Sequence, residues 1–537
     1  MTIPTPLHAA RLKYAPKLPI ALADLSTARL ALGKGTGAVN DEGALRKLFP
    51  LTFGQPMAHV ERGERRKGVA KRVGVVLSGG QAPGGHNVIA GLFDALIQLS
   101  QGSQLVGFLN GPSGIVDNQA KPLTADLLSH YRNMGGFDII GSGRTKIESE
   151  EQLRKSLETV KALKLDGLVV IGGDDSNTNA AILAEYFKRE GLSTSVIGVP
   201  KTIDGDLKNE QIEVSFGHDT ACRVYSELIG NLMRDCLSAK KYYHFVKLMG
   251  RSASHITLEC ALQTQPTVAL IGEEIAAQKK TLRQITAELV EVIRKRGSKK
   301  YGVILVPEGL IEFIPEMGDL INQLNDLLSH SSALEGKGLA DQLAYLKQHL
   351  KGGAVDALLS LPPAIQSQLL LDRDPHGNVQ VSRIETEQLL IATCTAELGK
   401  LNAHHHFFGY EGRSAMPTNF DAQYCYALGF AAALLIQEGL TGYMASVRDL
   451  YRPTTEWKAG GVPITMMMNL ERRHGKEKPV IQKALVDLKG APFREFALRR
   501  GKWAEEDAFR YPGPIQYFGE ERITDSLPAT LSLEKKG

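Results

Sequence analysis

The sequence predicts an α/β protein of two doubly wound domains, each built on a mainly parallel sheet. From about residue 73 onward, short apolar segments alternate with segments of helical periodicity, which is typical of parallel sheets covered by helices. Some of these segments, such as DGLVVI at 166–171, are apolar nearly throughout, as expected of strands buried on both faces. A chain of 537 residues also exceeds what one hydrophobic core can hold, so at least two domains are expected.

The first predicted domain follows an N-terminal extension, residues 1–70, that lacks a clear strand–helix rhythm and that we expect to drape over the core. The domain comprises residues 71–217 and a return of the chain at about 415–465. Its strands are predicted at 73–77, 104–109, 166–171 and 195–199, and its helices at 87–99 and 152–163.

The second predicted domain, residues 218–414, begins with a long helix and then repeats the alternation. Its strands are predicted at 243–248, 268–271 and 302–306. Residues from about 316 to 400 are rich in helix formers and show little strand pattern, which predicts a helical insertion. Residues 466–537 are predicted to form a C-terminal segment of mixed character.

Charge and cysteine content exclude several classes of protein. The 63 basic and 59 acidic residues leave a formal charge of +4, which does not suggest a nucleic-acid partner. The five cysteines include no CxxC pair, so neither a disulfide framework nor a zinc site is indicated, and a reducing cytoplasm fits best. The longest apolar stretch, 427–436, is too short to span a bilayer, so no membrane association is expected.

Two motifs place charged side chains after neighbouring predicted strands. GGDDS supplies Asp174 and Asp175, and PKTIDGDL supplies Lys201, Asp204 and Asp206. Ligands of open α/β sheets bind beyond the carboxyl ends of the strands, so these groups are expected to converge. Carboxylates so close together require a compensating cation, which favours a site for phosphate and Mg²⁺. The alternative is that both segments are ordinary turns, in which Asp and Gly are common.

Two further segments extend this predicted site. SGGQAPGGHN at 78–87 joins a strand to a helix, and its Gly80 permits an anion to approach the backbone closely. Its glycine spacing matches neither of the common nucleotide-binding loops. GSGRTK at 141–146 adds the cations Arg144 and Lys146, whose alternative interpretation is a solvated surface charge.

Five motifs in this order together resemble the phosphofructokinase family: GGDDS, PKTIDGD, MGRSA at 249–253, PEG at 307–309 and YEGR at 410–413. The chain is most similar to the long, diphosphate-dependent branch, because it has Asp175 and Lys201 where ATP-dependent relatives have glycine. The Asp175 carboxylate would repel the α-phosphate of a nucleotide and occupy its space. The resemblance implies reversible, Mg²⁺-dependent phosphoryl transfer from diphosphate to the C1 hydroxyl of fructose 6-phosphate.

The resemblance also implies roles on the donor side, which falls to the first domain. Asp204 would be the base, Asp174 would hold Mg²⁺, and Asp175 with Lys201 would select the donor. Diphosphate would be bound by Gly80, Lys201 and Arg144, with Arg144 also placed at the transferring phosphoryl group. Gln81 departs from the family pattern, which normally has an acidic residue at that position.

Fructose 6-phosphate would be bound mainly by the second domain. The residues implied are Thr202, Ile203, Asp204, Met249, Gly250, Arg251, Glu308, Tyr410 and Arg413. The family completes this site across a homodimer, which here would bring in Lys241 and Tyr242 of the partner subunit, where other members have an arginine. Two alternatives stay open: an ATP-dependent sugar kinase of the same fold, and a non-catalytic regulatory subunit that binds sugar phosphates.

Overall fold

The computed structural model describes residues 4–329, 338–371, 379–473 and 476–535. The chain divides into two compact units. Unit 1 comprises Met1–Ala221, Tyr410–Ala484 and Ile515–Leu531, and unit 2 comprises Cys222–Gly409, Leu485–Pro514 and Ser532–Gly537. The residues of the predicted C-terminal segment, 466–537, are therefore shared between both units.

The strands are, in chain order, β1 Ala28–Gly35, β2 Pro56–Arg62, β3 Arg72–Leu77, β4 Gln104–Phe108, β5 Ala120–Pro122, β6 Gly167–Gly172, β7 Ser195–Pro200, β8 Tyr243–Leu248, β9 Val268–Ala269, β10 Gly302–Pro307, β11 Ala403–Phe408, β12 Tyr443–Arg448, β13 Lys458–Pro463, β14 Met468–Arg473 and β15 Lys476–Ile481.

The α-helices are α1 Pro6–Leu12, α2 Glu42–Leu48, α3 Gly85–Leu99, α4 Ser113–Val116, α5 Ala125–Ser129, α6 Glu150–Ala162, α7 Asp174–Arg189, α8 His218–Ala239, α9 His255–Thr264, α10 Gly272–Ala277, α11 Leu282–Lys295, α12 Leu310–Phe313, α13 Pro315–Ser329, α14 Leu339–His349, α15 Ala354–Ser360, α16 Pro363–Leu371, α17 Thr386–Leu398, α18 Tyr410–Arg413, α19 Asn419–Gln437, α20 Ala491–Glu506, α21 Glu521–Thr524 and α22 Ala529–Glu534. No helix in the described ranges combines the length and the apolarity needed to cross a membrane.

Unit 1 is built on a nine-stranded sheet in the order β1-β2-β13-β12-β7-β6-β3-β4-β5. The five strands from β12 to β4 are parallel to one another, and their apolar side chains are buried on both faces. The chain winds from β3 outward to β4 and then returns to place β6 on the other side of β3. The strand order therefore reverses between β3 and β6, the kind of position where α/β sheets bind ligands.

Antiparallel strands flank this parallel centre. β5 pairs antiparallel with β4 at one edge, and β13, β2 and β1 continue the sheet antiparallel beyond β12. The prediction of a mainly parallel α/β fold is confirmed, but the prediction that residues 1–70 merely drape over the core is wrong. β1 and β2 lie in that segment and extend the sheet by hydrogen bonding, which a search for alternating strands and helices does not detect.

Unit 2 contains a smaller, fully parallel sheet in the order β11-β8-β10-β9. One face of its strands packs on α11 and on the helices that follow β10, in a core that includes Phe245, Ile304 and Leu389. Helices α13 to α17 lie within the region predicted as a helical insertion. This arrangement leaves the segments after β8, β10 and β11 at the same edge of the sheet.

Candidate active site

The loops that leave β3, β6 and β7 in unit 1 lie side by side. Leu77 of β3 pairs with Ile171 of β6, and Gly172 of β6 pairs with Pro200 of β7, so the three strands end together. The chain thus brings the glycine-rich loop, GGDDS and PKTIDGD to one edge of the sheet. This is the edge predicted from the sequence.

The glycine-rich loop is held by hydrogen bonds to both neighbouring segments. Ser78 N–H donates to the carbonyl of Ile171 at 2.8 Å, and Gly79 N–H donates to the carbonyl of Gly143, also at 2.8 Å. The amino terminus of α3 is buried, and Phe137 packs against Gly85 there. The helix terminus next to this loop is that of α7, whose Ser176 hydroxyl donates to Ser78 Oγ at 2.7 Å.

Lys201 is the buried cation of the site. Its side chain belongs to a residue only 5% exposed, and a methyl group on Gly79 would lie 3.3 Å from its Nζ. The pKa of Lys201 is lowered to about 8, mainly by burial and also by Arg413, while Asp204 and Asp174 oppose the shift. The ammonium is therefore held directly under the loop that is predicted to receive diphosphate.

Asp175 lies at the first turn of α7 and is paired with Lys146. The distance from Lys146 Nζ to Asp175 Oδ2 is 3.2 Å, and both side chains are partly exposed to solvent. The sequence had suggested Lys201 as the charge that compensates Asp175. In the structure the cation paired with Asp175 is Lys146.

Asp204, the predicted base, lies in the loop after β7 beside Arg413. Its carboxylate is 3.7 Å from Arg413 Nη2, and its backbone N–H donates to Thr202 Oγ1 at 3.1 Å. The Ser215 hydroxyl donates to the Thr202 carbonyl at 3.0 Å, and this hydrogen bond helps to hold the loop in place. Asp204 Oδ1, the oxygen that faces Arg413, is buried and accepts no hydrogen bond from any described residue, so it remains available to a proton donor.

Arg413, which the sequence assigned to the sugar, lies in unit 1 at the glycine-rich loop. Its Nη1 donates to the Gln81 carbonyl at 3.1 Å. A methyl group on Gly80 would lie 3.0 Å from Arg413 Nη1 and 3.8 Å from Arg144 Nη2. Two guanidinium groups therefore flank Gly80, which suits the binding of phosphate oxygens.

Asp174 and Asp206 share a cation that the sequence analysis missed. Lys483 Nζ lies 3.6 Å from Asp174 Oδ2 and 3.7 Å from Asp206 Oδ2. The pKa of Asp206 is raised to about 7, mainly by burial and also by Asp204 and Asp174, while Lys483 opposes the shift. No motif marks Lys483, because it follows a hairpin, β14–β15, that lies far from the other site residues in sequence.

The carboxylates of Asp174 and Asp206 fit a magnesium ion. Asp174 and Asp206 already accommodate one cation between them, and carboxylate oxygens are the ligands that Mg²⁺ prefers. In the part of the chain that the structure describes, no group of three His, Cys, Asp or Glu side chains could hold a metal alone. A magnesium ion here would therefore take its remaining ligands from water and phosphate, as this ion usually does.

In unit 2, MGR and PEG form two interlocked loops after β8 and β10. Gly250 has φ +127°, and its N–H donates to Glu308 Oε2 at 2.9 Å, so the buried Glu308 carboxylate holds the turn. Any side chain on Gly309 would collide with the Arg251 carbonyl, because a methyl group would lie 1.8 Å from that oxygen. The arrangement leaves the Arg251 side chain exposed.

The other predicted sugar residues differ in accessibility. Met249 donates its N–H to the Phe408 carbonyl at 3.0 Å and is buried. Ile203 is fully buried, and its carbonyl oxygen lies 2.9 Å from His218 Nδ1. Tyr410 is 70% exposed and opens α18 in unit 1. Lys241 is exposed, with its Nζ 5.2 Å from the centroid of the Tyr242 ring.

Comparison with known proteins identifies relatives over nearly the whole chain. The family model described as "Phosphofructokinase" matches residues 72–436. The pyrophosphate–fructose 6-phosphate 1-phosphotransferase of Treponema pallidum is 53% identical, over 98% of this chain and 97% of that protein. The enzyme of the same name from Porphyromonas gingivalis is 52% identical, over 98% of each chain.

A more distant likeness is found among solved structures. A pyrophosphate-dependent phosphofructokinase from Marinobacter aquaeolei superposes with a TM-score of 0.54 at 16% identity, covering 82% of this chain and 93% of that one. At this identity the likeness concerns the fold alone.

Proposed function

The chain belongs to the phosphofructokinase family, and from this premise we propose that it transfers a phosphoryl group reversibly between diphosphate and the C1 hydroxyl of fructose 6-phosphate. The products of the forward direction are fructose 1,6-bisphosphate and orthophosphate. The observation that carries the proposal is the cluster in unit 1, where Lys201, Arg413 and Arg144 surround the glycine-rich loop beside the Asp204 carboxylate. The names of the relatives at about half identity favour the diphosphate donor over ATP.

The chemistry asked of these residues is mainly positioning and charge compensation. In the forward step the C1 oxygen attacks one phosphorus of diphosphate, and the bond from that phosphorus to the bridging oxygen breaks. Orthophosphate leaves with the electron pair, and the C1 proton passes to the Asp204 carboxylate. Asp204 suits this role because its Oδ1 accepts no hydrogen bond from the residues that the structure describes. Thr202 holds the Asp204 backbone in place.

Negative charge on the diphosphate is met by the three cations around the loop. Lys201, buried and lying under Gly79, faces the donor as a fixed positive charge, and Arg413 and Arg144 flank Gly80. A magnesium ion bound at Asp174 and Asp206 would neutralise phosphate charge and polarise the phosphorus–oxygen bond. In the reverse direction the same cations receive orthophosphate.

Donor choice is assigned to Asp175 and Lys201. Asp175 is partly exposed at the amino terminus of α7, where its charge would oppose the additional phosphate of a nucleotide. Lys146 holds the carboxylate in this position by an ion pair. The donor site is thereby suited to the shorter, more compact diphosphate.

Sugar binding is assigned to Arg251, Met249, Gly250 and Glu308, all of unit 2. The hydrogen bond from Gly250 to Glu308 and the close packing of Gly309 on the Arg251 carbonyl hold the Arg251 backbone in place. The exposed Arg251 guanidinium would bind the 6-phosphate. We also propose a homodimer in which Lys241 and Tyr242 of the partner subunit complete the sugar site. The five cysteines are buried and form no disulfide in the described part of the chain, which supports a cytoplasmic location.

The test is a coupled assay of fructose 1,6-bisphosphate formation with diphosphate or ATP as donor, run also in reverse with orthophosphate. We expect turnover with diphosphate, release of one orthophosphate per sugar product, and a reverse reaction. The Asp204→Asn variant serves as the control for a contaminating kinase. Activity with ATP alone, or equal activity in wild type and Asp204→Asn, would contradict the proposal.

A further inference from the structure

Lys483 is fixed in place by the backbone on both sides of it. Gln482 N–H donates to the Met467 carbonyl at 2.9 Å, and Ala484 N–H donates to the Asp206 carbonyl at 2.7 Å. The second bond ties this segment directly to the loop that carries Asp204 and Asp206. Lys483 is therefore a positioned residue of unit 1 and not a freely moving surface lysine.

The ammonium of Lys483 is almost equidistant from two carboxylates. Its distances to Asp174 Oδ2 and Asp206 Oδ2 differ by only a tenth of an ångström, 3.6 Å and 3.7 Å. The Lys483 side chain retains about a third of its exposure, 31%, whereas that of Asp206 retains 10%. The Asp174 side chain keeps 26% of its exposure, so the cation lies between one nearly buried and one partly exposed carboxylate.

This geometry makes lysine and a divalent cation competitors for the same oxygens. An ion that took Asp174 and Asp206 as ligands would bring two positive charges to where Lys483 Nζ now lies, and ammonium and metal would repel each other. Diphosphate would relieve that repulsion, because its oxygens can accept from the ammonium while they also bind the metal.

We propose that Lys483 is a positioning residue that occupies the Asp174–Asp206 pair in the enzyme without substrate, so that divalent metal binds weakly alone and enters with diphosphate. This inference rests on the proposed function, because it requires diphosphate as the phosphoryl donor. Its consequence is an order of binding, since the metal is loaded as its diphosphate complex. Metal without donor then does not fill the site.

The test measures metal binding in the absence of any substrate. Mn²⁺, used in place of Mg²⁺ because its free form is detected by electron paramagnetic resonance, is titrated into wild type and into Lys483→Met. We expect weak binding to wild type and a dissociation constant at least about tenfold lower for Lys483→Met, from removal of one adjacent positive charge. Lys483→Arg keeps the charge and is expected to bind Mn²⁺ as weakly as wild type.

The matched control is Lys478→Met, a lysine of β15 whose Nζ pairs with Glu148 at 2.8 Å, away from the two carboxylates. It is expected to leave Mn²⁺ affinity unchanged. Equal or weaker Mn²⁺ binding by Lys483→Met, with an unchanged thermal unfolding midpoint, would overturn the inference, as would tight binding by substrate-free wild type. Failure here would leave diphosphate turnover intact, whereas failure of the proposed function would appear in the coupled assay and not in this titration.

Discussion

The lowered pKa of Lys201 predicts that diphosphate binding depends on pH near neutrality. With a pKa of about 8, the side chain is charged in roughly nine-tenths of molecules at pH 7, half at pH 8 and one-tenth at pH 9. The direction follows from burial, which disfavours the ammonium, so the favourable charge is present at low pH and lost as the pH rises through 8. Diphosphate binding by Lys201 should follow the same curve.

The Lys201→Met variant tests this dependence, because it keeps an unbranched side chain in the buried position and removes the charge. A charge-assisted contact is worth about 1.5–3 kcal/mol, so kcat/KM for diphosphate should fall by roughly 10- to 150-fold at pH 7. The ratio of wild-type to variant kcat/KM should then decrease by up to about ninefold between pH 7 and pH 9, because wild type loses its own charge. Taking the ratio cancels the ionisation of diphosphate itself.

The assay is initial-rate kinetics with diphosphate varied at saturating fructose 6-phosphate, at half-unit steps from pH 6.5 to 9.5. A ratio that stays constant across pH 7–9 would show that Lys201 does not titrate in this range. A ratio near one at pH 7 would show instead that its charge does not contribute to donor binding. Either result would refute the role derived from its burial.

Three further predictions concern the base and the sugar loops. Asp204→Asn should lower kcat by about 10²- to 10⁴-fold with little change in the KM of the sugar, and turnover within a few-fold of wild type would exclude it as the base. Arg251→Ala should raise the KM for fructose 6-phosphate by roughly 10- to 100-fold while the KM for diphosphate stays the same; an unchanged sugar KM would remove Arg251 from that site. Gly309→Ala should lower the free energy of unfolding by roughly 1–3 kcal/mol and raise the sugar KM, because its methyl group would collide with the Arg251 carbonyl. Gly338→Ala, where no atom lies within 4 Å of the added methyl group, is the matched control in chemical unfolding, and equal effects of the two would contradict this packing argument.

The sequence predicted the α/β class and the edge of the sheet that carries the donor residues, for a physical reason. Strands buried on both faces are apolar nearly throughout, so β3, β6 and β7 could be recognised, and side chains that follow adjacent parallel strands meet at one edge. The sequence alone therefore predicted that Asp174, Lys201 and Asp204 lie close together.

Other features could not be predicted because they depend on contacts between distant segments. β1 and β2 join the sheet only through pairing with β13, which local periodicity does not reveal. Lys483 reaches Asp174 and Asp206 from a hairpin without any motif of its own. The pairing of Asp175 with Lys146 and the placement of Arg413 beside Asp204 likewise follow from three-dimensional packing.

The preference for diphosphate over ATP as phosphoryl donor is measured by the ratio of kcat/KM for diphosphate to kcat/KM for ATP. The ratio is to be determined in wild type, Asp175→Gly, Lys201→Gly and the double variant. We predict a large ratio in wild type, a shift toward ATP in Asp175→Gly, and a further, non-additive shift in the double variant, because both residues act on one donor. A ratio that stays the same in all four proteins while activity persists would show that Asp175 and Lys201 do not choose the donor.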